Sequence, residues 1–359
     1  MNNTGVISMG VRCPIIRQGD NLVDIVIENV KKTLEENHMS LEDKDVIGIT
    51  ESVVARAQGN YVTVDDIVQF LRDNSYPKYI GLYRPIFSRN RFSIILKAFA
   101  RHCDKLVIYH DIFDEQGNPC NVPNQFTGVD IKEYYKQLCN AENCELKFES
   151  CYMFDKHNDG IFVDARCHPE FGPSLLDIMI SPVTRSDGTK SGYNNTWGLL
   201  GSNKADEETL KLFPRQGVAQ KLVQEIQKRL HNETGKWVEV LIYGDGCFKD
   251  PIGGIWEFAD PVTCPAYTKG LEGTPNEIKI KALADGKFKN LNGKELEDAI
   301  SEEIKNNQKD LKGNMISQGT TPRRYTDLLA SLFDLLSGSG DKGCPVGIIK
   351  RYFKKYSDD

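Results

Sequence analysis

Apolar side chains recur at helical spacing in several stretches of the chain. Leu22, Ile25, Val26, Val30 and Leu34 fall on one face of a predicted helix. A helix is also predicted from Val64 to about Arg72, with Thr63 as its N-cap. The same reasoning predicts further helices over residues 90–102, 130–140, 218–230 and 325–336.

Short apolar runs between these helices predict buried strands. They lie at residues 45–50, 78–83, 105–110, 145–149, 236–243 and 346–350. The alternation of strands and helices predicts an α+β, or mixed α/β, fold. The polar segment 286–313 predicts an exposed helix.

Changes in residue composition and in predicted secondary structure along the chain predict three segments. Residues 1–76 and 181–359 are expected to form the two parts of one core, and residues 77–180 are expected to form an inserted small α/β subdomain. Residues 181–204 are rich in Gly, Ser, Asn and Asp, which predicts loops where functional residues concentrate.

Composition narrows the functional class. The chain has 359 residues, a formal net charge of −6 and 27% charged residues, which argues against a dedicated nucleic-acid-binding protein. It contains no apolar run of about 18–20 residues, the length that spans a bilayer, and its first residues do not resemble a signal peptide. We therefore expect a cytoplasmic protein whose ten scattered cysteines are reduced thiols rather than zinc ligands.

A glycine-rich loop lies between the last predicted helix and the last predicted strand. It runs through Gly338, Ser339, Gly340, Asp341, Lys342 and Gly343. Three glycines in six residues allow backbone N–H groups to converge on an anion, and Lys342 adds a positive charge. From the residues alone, a phosphate cradle and an ordinary flexible turn are equally good interpretations.

A second candidate follows the predicted strand 236–243. Asp245 comes just after the strand's carboxyl end, where ligands of α/β sheets bind. Asp245 and Asp250 offer the oxygen ligands that Mg²⁺ or Mn²⁺ prefers, and Glu257 and Asp260 follow closely. For any one of these carboxylates, a solvated turn is the simpler interpretation.

Arginines supply two further anion-binding candidates. Arg323 and Arg324 precede a predicted helix, where they could bind a carboxylate or phosphate as substrate-binding residues. A second patch, Arg84, Arg89 and Arg91, lies in the predicted insertion. Surface charge is the alternative for both. The histidines form no Ser/His/Asp arrangement, and no G-x-G-x-x-G motif is present, so neither a triad hydrolase nor a nicotinamide dehydrogenase is supported.

Four motifs, in the same order along the chain, resemble the γ-glutamyl ligases of the deazaflavin coenzyme F420. They are G-V-R-C-P-I-I-R-Q-G-D-N-L from Gly10, D-V-I-G-I-T-E-S-V-V-A-R-A-Q-G from Asp45, G-L-L-G-S-N from Gly198 and L-L-S-G-S-G-D-K-G-C-P from Leu335. The strand and loop that end at Asp245 also match, with a short gap in the alignment. The resemblance covers both ends and the middle of the chain but not residues 77–180. It implies a mixed α/β fold, an intertwined homodimer, and a reaction that uses GTP and Mg²⁺ or Mn²⁺. In that reaction a substrate carboxylate becomes an acyl phosphate, which the amine of L-glutamate attacks.

The resemblance also implies roles for individual residues. Nucleotide-binding positions would be Pro14, Ile15, Ile16, Glu51, Ser52, Arg56, Asn203 and the glycine-rich loop from Gly338 to Gly343. Glu51 and Ser52 would lie at the turn after the predicted strand 45–50. Arg56 takes the place of a family lysine and would act in catalysis. Asp245 lies closest to the family's metal-binding aspartate and would also act in catalysis. The expected metal ligands are Asp245, Asp250 and Asp341.

Two departures keep alternative functions open. Leu200 and Ser339 stand where the family has metal-binding side chains, and Asp187 or Glu257 are further candidates to replace them. The leading expectation is a GTP- or ATP-dependent ligase whose acceptor is the deazaflavin precursor or another carboxylate, such as a folate-like pterin. The alternatives are a nucleotide-binding regulatory protein without catalysis and a plain carboxylate-binding protein.

Overall fold

The computed structural model describes most of both ends of the chain and parts of its middle. The described residues are 4–83, 92–110, 122–123, 128–150, 161–164, 203–212, 214, 217–244, 247–249, 256–258, 262–273, 275, 278–306, 324–337 and 340–354. Within them the strands are β1 (Ile7–Val11), β2 (Val46–Thr50), β3 (Tyr61–Thr63), β4 (Tyr79–Tyr83), β5 (Lys105–His110), β6 (Glu145–Ser150), β7 (Ile161–Asp164), β8 (Asn203–Asp206), β9 (Thr209–Lys211), β10 (Glu239–Gly244), β11 (Cys247–Lys249), β12 (Trp256–Phe258), β13 (Thr263–Tyr267) and β14 (Val346–Lys350). The α-helices are α1 (Leu22–Glu36), α2 (Glu51–Ala57), α3 (Val64–Asp73), α4 (Phe92–His102), α5 (Ile131–Ala141), α6 (Val218–Thr234), α7 (Ile280–Asp285), α8 (Gly293–Asn306) and α9 (Tyr325–Ser337).

The first sheet joins the two ends of the chain. Its strand order is β1-β14-β2-β10-β13, and β2 and β10 are parallel while the other neighbours are antiparallel. Side chains alternate between its two faces: Ile47 and Ile49 pack with α1 and α6, whereas Val46 packs on the side of α9. Both faces are therefore buried, which explains why these strands are almost continuously apolar.

Strand directions bring four distant segments to one edge of this sheet. The parallel strands β2 and β10 end there at Thr50 and Gly244. Antiparallel β14 begins there at Val346, which pairs with Val11 at the end of β1. We call this side the carboxyl edge. It collects the segments that follow β1, β2 and β10 and the segment that precedes β14.

Three glycines lie side by side across the first sheet. Gly10 pairs with Gly347, and Gly347 pairs with Gly48. We call them the glycine stripe. The ring of Phe333 in α9 lies directly on two of them, since a Cβ added at Gly48 would be 2.5 Å from the ring and one at Gly347 would be 2.7 Å from it. The stripe lets α9 approach the sheet closely.

The second sheet has the order β6-β5-β4-β7, and all its strands are parallel. They lie within residues 77–180, the predicted insertion. Its hydrophobic core extends beyond that segment, because Ile67 of α3 and Leu210 of β9 belong to the same buried cluster. Arg101 of α4 adds polar contacts across the same boundary, to Asp65 of α3 and Glu208 of the β8–β9 turn.

A third, three-stranded antiparallel sheet connects the first two. Its order is β3-β9-β8, and Lys211 of β9 pairs with Tyr61 on one side and with Asn203 on the other. Strands β11 and β12 form a separate hairpin that follows β10.

Several sequence expectations are confirmed. Strands and helices occur at the predicted places, including β2, β10 and β14, and the fold is mixed α+β. Thr63 caps α3 as predicted: its hydroxyl accepts from the Asp66 N–H at 3.1 Å, and the Asp66 carboxylate accepts from the Thr63 N–H at 2.9 Å. One local expectation was wrong, because Glu51 and Ser52 do not form a turn; they begin helix α2 directly after β2.

Among the described residues, no helix is both long and apolar enough to cross a membrane. Six cysteines whose side chains the structure describes are free thiols: Cys13, Cys103, Cys139, Cys144, Cys264 and Cys344.

Candidate functional site

Backbone hydrogen bonds tie three predicted site segments together at the carboxyl edge. The Cys13 N–H donates to the Gly343 carbonyl at 3.2 Å, and the Thr50 N–H donates to the Pro345 carbonyl at 2.9 Å. The segment that follows β1, the start of α2 and the glycine-rich loop are therefore neighbours, although up to about 330 residues of chain separate them.

The segment after β1 runs from the glycine-rich loop to the end of α2. Ile16 is buried in the core, while Pro14 is exposed and Ile15 is 79% exposed. The Gly19 N–H donates to the Ala57 carbonyl at 2.9 Å. The side chain of Gln18 packs on Gly59, where a Cβ would lie 2.4 Å from its Cδ, and Gly59 has a φ of +59°, which favours glycine. Ile15 therefore offers an exposed apolar side chain to a ligand, whereas Ile16 does not.

The glycine-rich loop is anchored at both ends. It starts where α9 ends at Ser337, and the side chains of Ser337 and the buried Tyr243 are hydrogen-bonded. Burial raises the pKa of Tyr243 above its usual range, so its hydroxyl stays protonated. Gly340 to Lys342 form a short 3-10 turn, and Gly343 has a φ of +66°, which favours glycine. Asp341 and Lys342 are exposed, so they are accessible to a ligand.

A buried ion pair lies at the start of α2. Glu51 is 2% exposed and packs on Gly244, where any Cβ would overlap its side chain. Lys211, 8% exposed, places its Nζ 3.8 Å from Glu51 Oε1 and donates a hydrogen bond of 2.5 Å to Ser52 Oγ. Lys211 therefore meets two residues expected to bind the nucleotide, and sequence reasoning missed it. The available signal was a lysine between two core residues, Leu210 and Leu212.

Two other residues predicted to bind the nucleotide, Arg56 and Asn203, do not lie at the start of α2. Arg56 lies in the last turn of α2 and is exposed. Asn203 begins β8 and is the ladder partner of Lys211, so its backbone lies one strand away from that residue.

The structure does not bring Arg324 to the carboxyl edge. Arg324 directly precedes α9, whereas the glycine-rich loop follows this 13-residue helix, which is about 20 Å long. Its guanidinium Nε is 3.2 Å from Asp327 Oδ2, so a carboxylate of the same helix already neutralises it. The expected substrate-binding role of Arg324 therefore has no support from proximity to the other site residues.

Several predicted residues lie outside the described part of the chain. They are Asp245, Asp250, Arg323, Gly338 and Ser339, together with Arg84, Arg89, Arg91, Asp187, Leu200 and Asp260. The side chain of Glu257 is not described either. Among the described residues, no group of three His, Cys, Asp or Glu side chains could hold a metal ion. Of the expected metal ligands Asp245, Asp250 and Asp341, only Asp341 lies in the described part of the chain.

Two thiols flank the glycine-rich loop. Burial, together with the neighbouring Cys344 thiol, raises the pKa of Cys13 to about 12. Cys344 packs against Gly10, since a Cβ added there would lie 3.2 Å from its Sγ.

The carboxyl edge therefore combines a glycine-rich backbone turn, the positive charges of Lys342 and Lys211, and an exposed apolar side chain. This combination suits an anionic ligand with an apolar part, such as a nucleotide. The family model for F420-0:gamma-glutamyl ligase matches residues 10–351 of this chain. The match includes residues 77–180, so the expectation that the resemblance does not cover that segment was wrong. Among curated proteins, no sequence matches this chain.

Proposed function

Because the chain belongs to the F420-0:gamma-glutamyl ligase family, we propose that it joins L-glutamate to the carboxylate of a small-molecule acceptor in a GTP-dependent reaction. The acceptor is the deazaflavin precursor or another carboxylate of similar kind, such as a folate-like pterin. We further propose that the protein works as a cytoplasmic homodimer.

The convergence of the family-like motifs at the carboxyl edge is the observation that carries this proposal. Cys13 and Thr50, from the first two motifs, bond to the carbonyls of Gly343 and Pro345 at the end of the last motif. Ligands of open α/β sheets bind at the carboxyl ends of strands, which is where these segments meet. In the proposal the glycine-rich loop and Lys342 hold the phosphates, and Ile15 supports the base or the ribose.

The proposed reaction has two steps. An oxygen of the acceptor carboxylate attacks the γ-phosphorus of GTP, the bond to the bridging oxygen breaks, and GDP leaves with its electron pair. The amine of L-glutamate then attacks the acyl carbon of the acyl phosphate. The amide forms, inorganic phosphate leaves, and the amine loses a proton. Positioning and neutralisation of phosphate charge account for most of the catalysis in such transfers.

Mg²⁺ or Mn²⁺ belongs to the proposal as the counter-ion of the triphosphate. Of its predicted ligands, Asp341 is exposed in the glycine-rich loop. The described carboxylates alone do not form a metal site. When bound, it would neutralise charge on the phosphates.

The test is an assay with purified full-length protein, L-glutamate, GTP or ATP, and Mg²⁺ or Mn²⁺. Acceptors are the deazaflavin precursor and a panel of pterin carboxylates. We expect phosphate release that requires both glutamate and acceptor, and an acceptor product heavier by one glutamyl residue. Absence of turnover with every acceptor would overturn the ligase proposal, and tight GTP binding in that case would identify a nucleotide-binding regulatory protein.

A matched pair of lysines checks the location of the nucleotide. Lys342 and Lys354 are both exposed and lie beyond opposite ends of β14. Lys342→Met should weaken GTP binding about tenfold, the effect of losing roughly 1.4 kcal/mol of charge-assisted contact. Lys354→Met should leave the affinity unchanged. Equal affinities of the two variants would place the nucleotide elsewhere.

A further inference from the structure

We propose that Lys211 contacts the β- or γ-phosphate of the nucleotide at this site and takes the role that the resemblance assigned to Arg56. The inference rests on the proposed function, because it names a contact of the proposed nucleotide.

The first argument is the position of the ammonium group. Lys211 extends from the third sheet to Ser52 at 2.5 Å and to Glu51 at 3.8 Å. Glu51 and Ser52 directly follow Thr50, whose N–H bonds to Pro345 at the end of the glycine-rich loop. A residue of β9 therefore reaches the same edge as the predicted phosphate cradle, although nothing in its local sequence predicts this.

The second argument concerns hydrogen bonds. At 3.8 Å, Glu51 neutralises the charge of Lys211 but is too far away to accept a hydrogen bond from it. An ammonium group has three N–H donors. The bond to Ser52 uses one of them, so the geometry of this ion pair leaves donor capacity for a phosphate oxygen.

The third argument is energetic. Lys211 stands between the core residues Leu210 and Leu212, and burying an ammonium and a carboxylate costs free energy that their attraction does not reliably recover. A pair of apolar residues would serve stability at least as well. Lys211 also shields an incoming phosphate from the negative charge of Glu51, which would otherwise repel it. Stability alone does not require an ionic pair here, and a ligand-binding role gives the charge of Lys211 a use at this edge of the sheet.

Arg56 is the alternative candidate for the cation that contacts the phosphates. Arg56 is exposed in the last turn of α2, five residues after Glu51, which is about 7–8 Å further along the helix axis. Lys211 is the better placed of the two cations to touch phosphates held between α2 and the glycine-rich loop.

The experiment compares dissociation constants for GTP and GMP, measured calorimetrically with Mg²⁺ on the full-length protein. Lys211→Met alone would leave Glu51 buried without its cation and could unfold the protein, so the informative variant is Glu51→Gln/Lys211→Met. Its reference is Glu51→Gln. The matched control is Asp45→Asn/Lys350→Met, which removes a second buried ion pair, with 2.5 Å between Nζ and Oδ2, at the opposite edge of the first sheet.

Relative to Glu51→Gln, we expect Glu51→Gln/Lys211→Met to weaken GTP binding about 10- to 100-fold, the effect of losing one charged hydrogen bond to phosphate, with less than about a threefold change for GMP. The control should bind both nucleotides as the wild type does. Equal affinities of the double variant and Glu51→Gln, or equal losses for GTP and GMP, would overturn the inference and leave the proposed function intact. A selective loss of GTP binding in Arg56→Met alone would also overturn it. A wild-type protein that binds no nucleoside triphosphate would instead overturn the proposed function, and this inference with it.

Discussion

Substitution of Gly48 by alanine tests whether the glycine stripe sets the position of α9. The added methyl group would lie 2.5 Å from Cγ and Cδ2 of Phe333. Carbon atoms in contact prefer about 3.5–4.0 Å, so the ring and the strand would have to separate by roughly 1 Å. Strand β2 is hydrogen-bonded on both sides, to β14 and to β10. The displacement should therefore fall on Phe333 and on α9.

The expected magnitude follows from the geometry. Overpacking of this kind costs about 1–3 kcal/mol of the free energy of unfolding. Phe333→Ala removes the fully buried ring and should cost about 3–5 kcal/mol. In the Phe333→Ala background the new methyl group fills part of the cavity, so Gly48→Ala should then cost nothing or stabilise slightly. The two substitutions should show a coupling free energy of at least about 1 kcal/mol.

Urea unfolding, followed by circular dichroism and by tryptophan fluorescence, measures all four members of this cycle. Coincident transitions with an unchanged m value are needed for the comparison. Gly5→Ala is the control, since its Cβ would have no heavy atom within 4 Å; we expect a change within about 0.5 kcal/mol. An equal cost of Gly48→Ala with and without the Phe333 ring would refute the packing argument.

Two further predictions concern side-chain ionisation. Burial and the Cys344 thiol raise the pKa of Cys13 to about 12. A maleimide at neutral pH should therefore label Cys344 well before Cys13, and mass spectrometry of the peptides measures the order of labelling. Equal labelling rates would contradict the burial of Cys13. Burial raises the pKa of Glu208, but hydrogen bonds and charge from Lys97 and Arg101 outweigh it, and the net pKa is below the usual 4.5. Glu208 therefore stabilises the fold above about pH 4.5 and loses this contribution as the pH falls through its lower folded pKa. Glu208→Gln should reduce the slope of the unfolding free energy against pH on the acid side. An unchanged slope would show that the contacts of Glu208 with Lys97 and Arg101 contribute nothing to stability.

Periodicity along the chain predicts most helices and strands because it reflects local physics. The apolar spacing of α1 and the capping of α3 by Thr63 depend on residues within one or two turns. The motifs also predict which segments belong to the site, and Cys13, Thr50 and Gly343 do meet.

What sequence reasoning missed depends on contacts between distant elements. Lys211 becomes a site residue only because β9 pairs with β3, and so lies beside α2. The separation of Arg324 from the glycine-rich loop follows from the length of α9. The order of strands in the first sheet likewise mixes both ends of the chain, which no local pattern specifies.

The second sheet is not a module that could be removed from this chain. Its core is shared with α3 and β9, and Arg101 and Lys97 of α4 hold Glu208 in the turn before Lys211. A shortened chain without residues 77–180 would expose Ile67 and Leu210 to water and release the turn that positions Lys211. Any attempt to reduce this protein to a minimal ligase would therefore have to redesign β9, not only rejoin the chain ends.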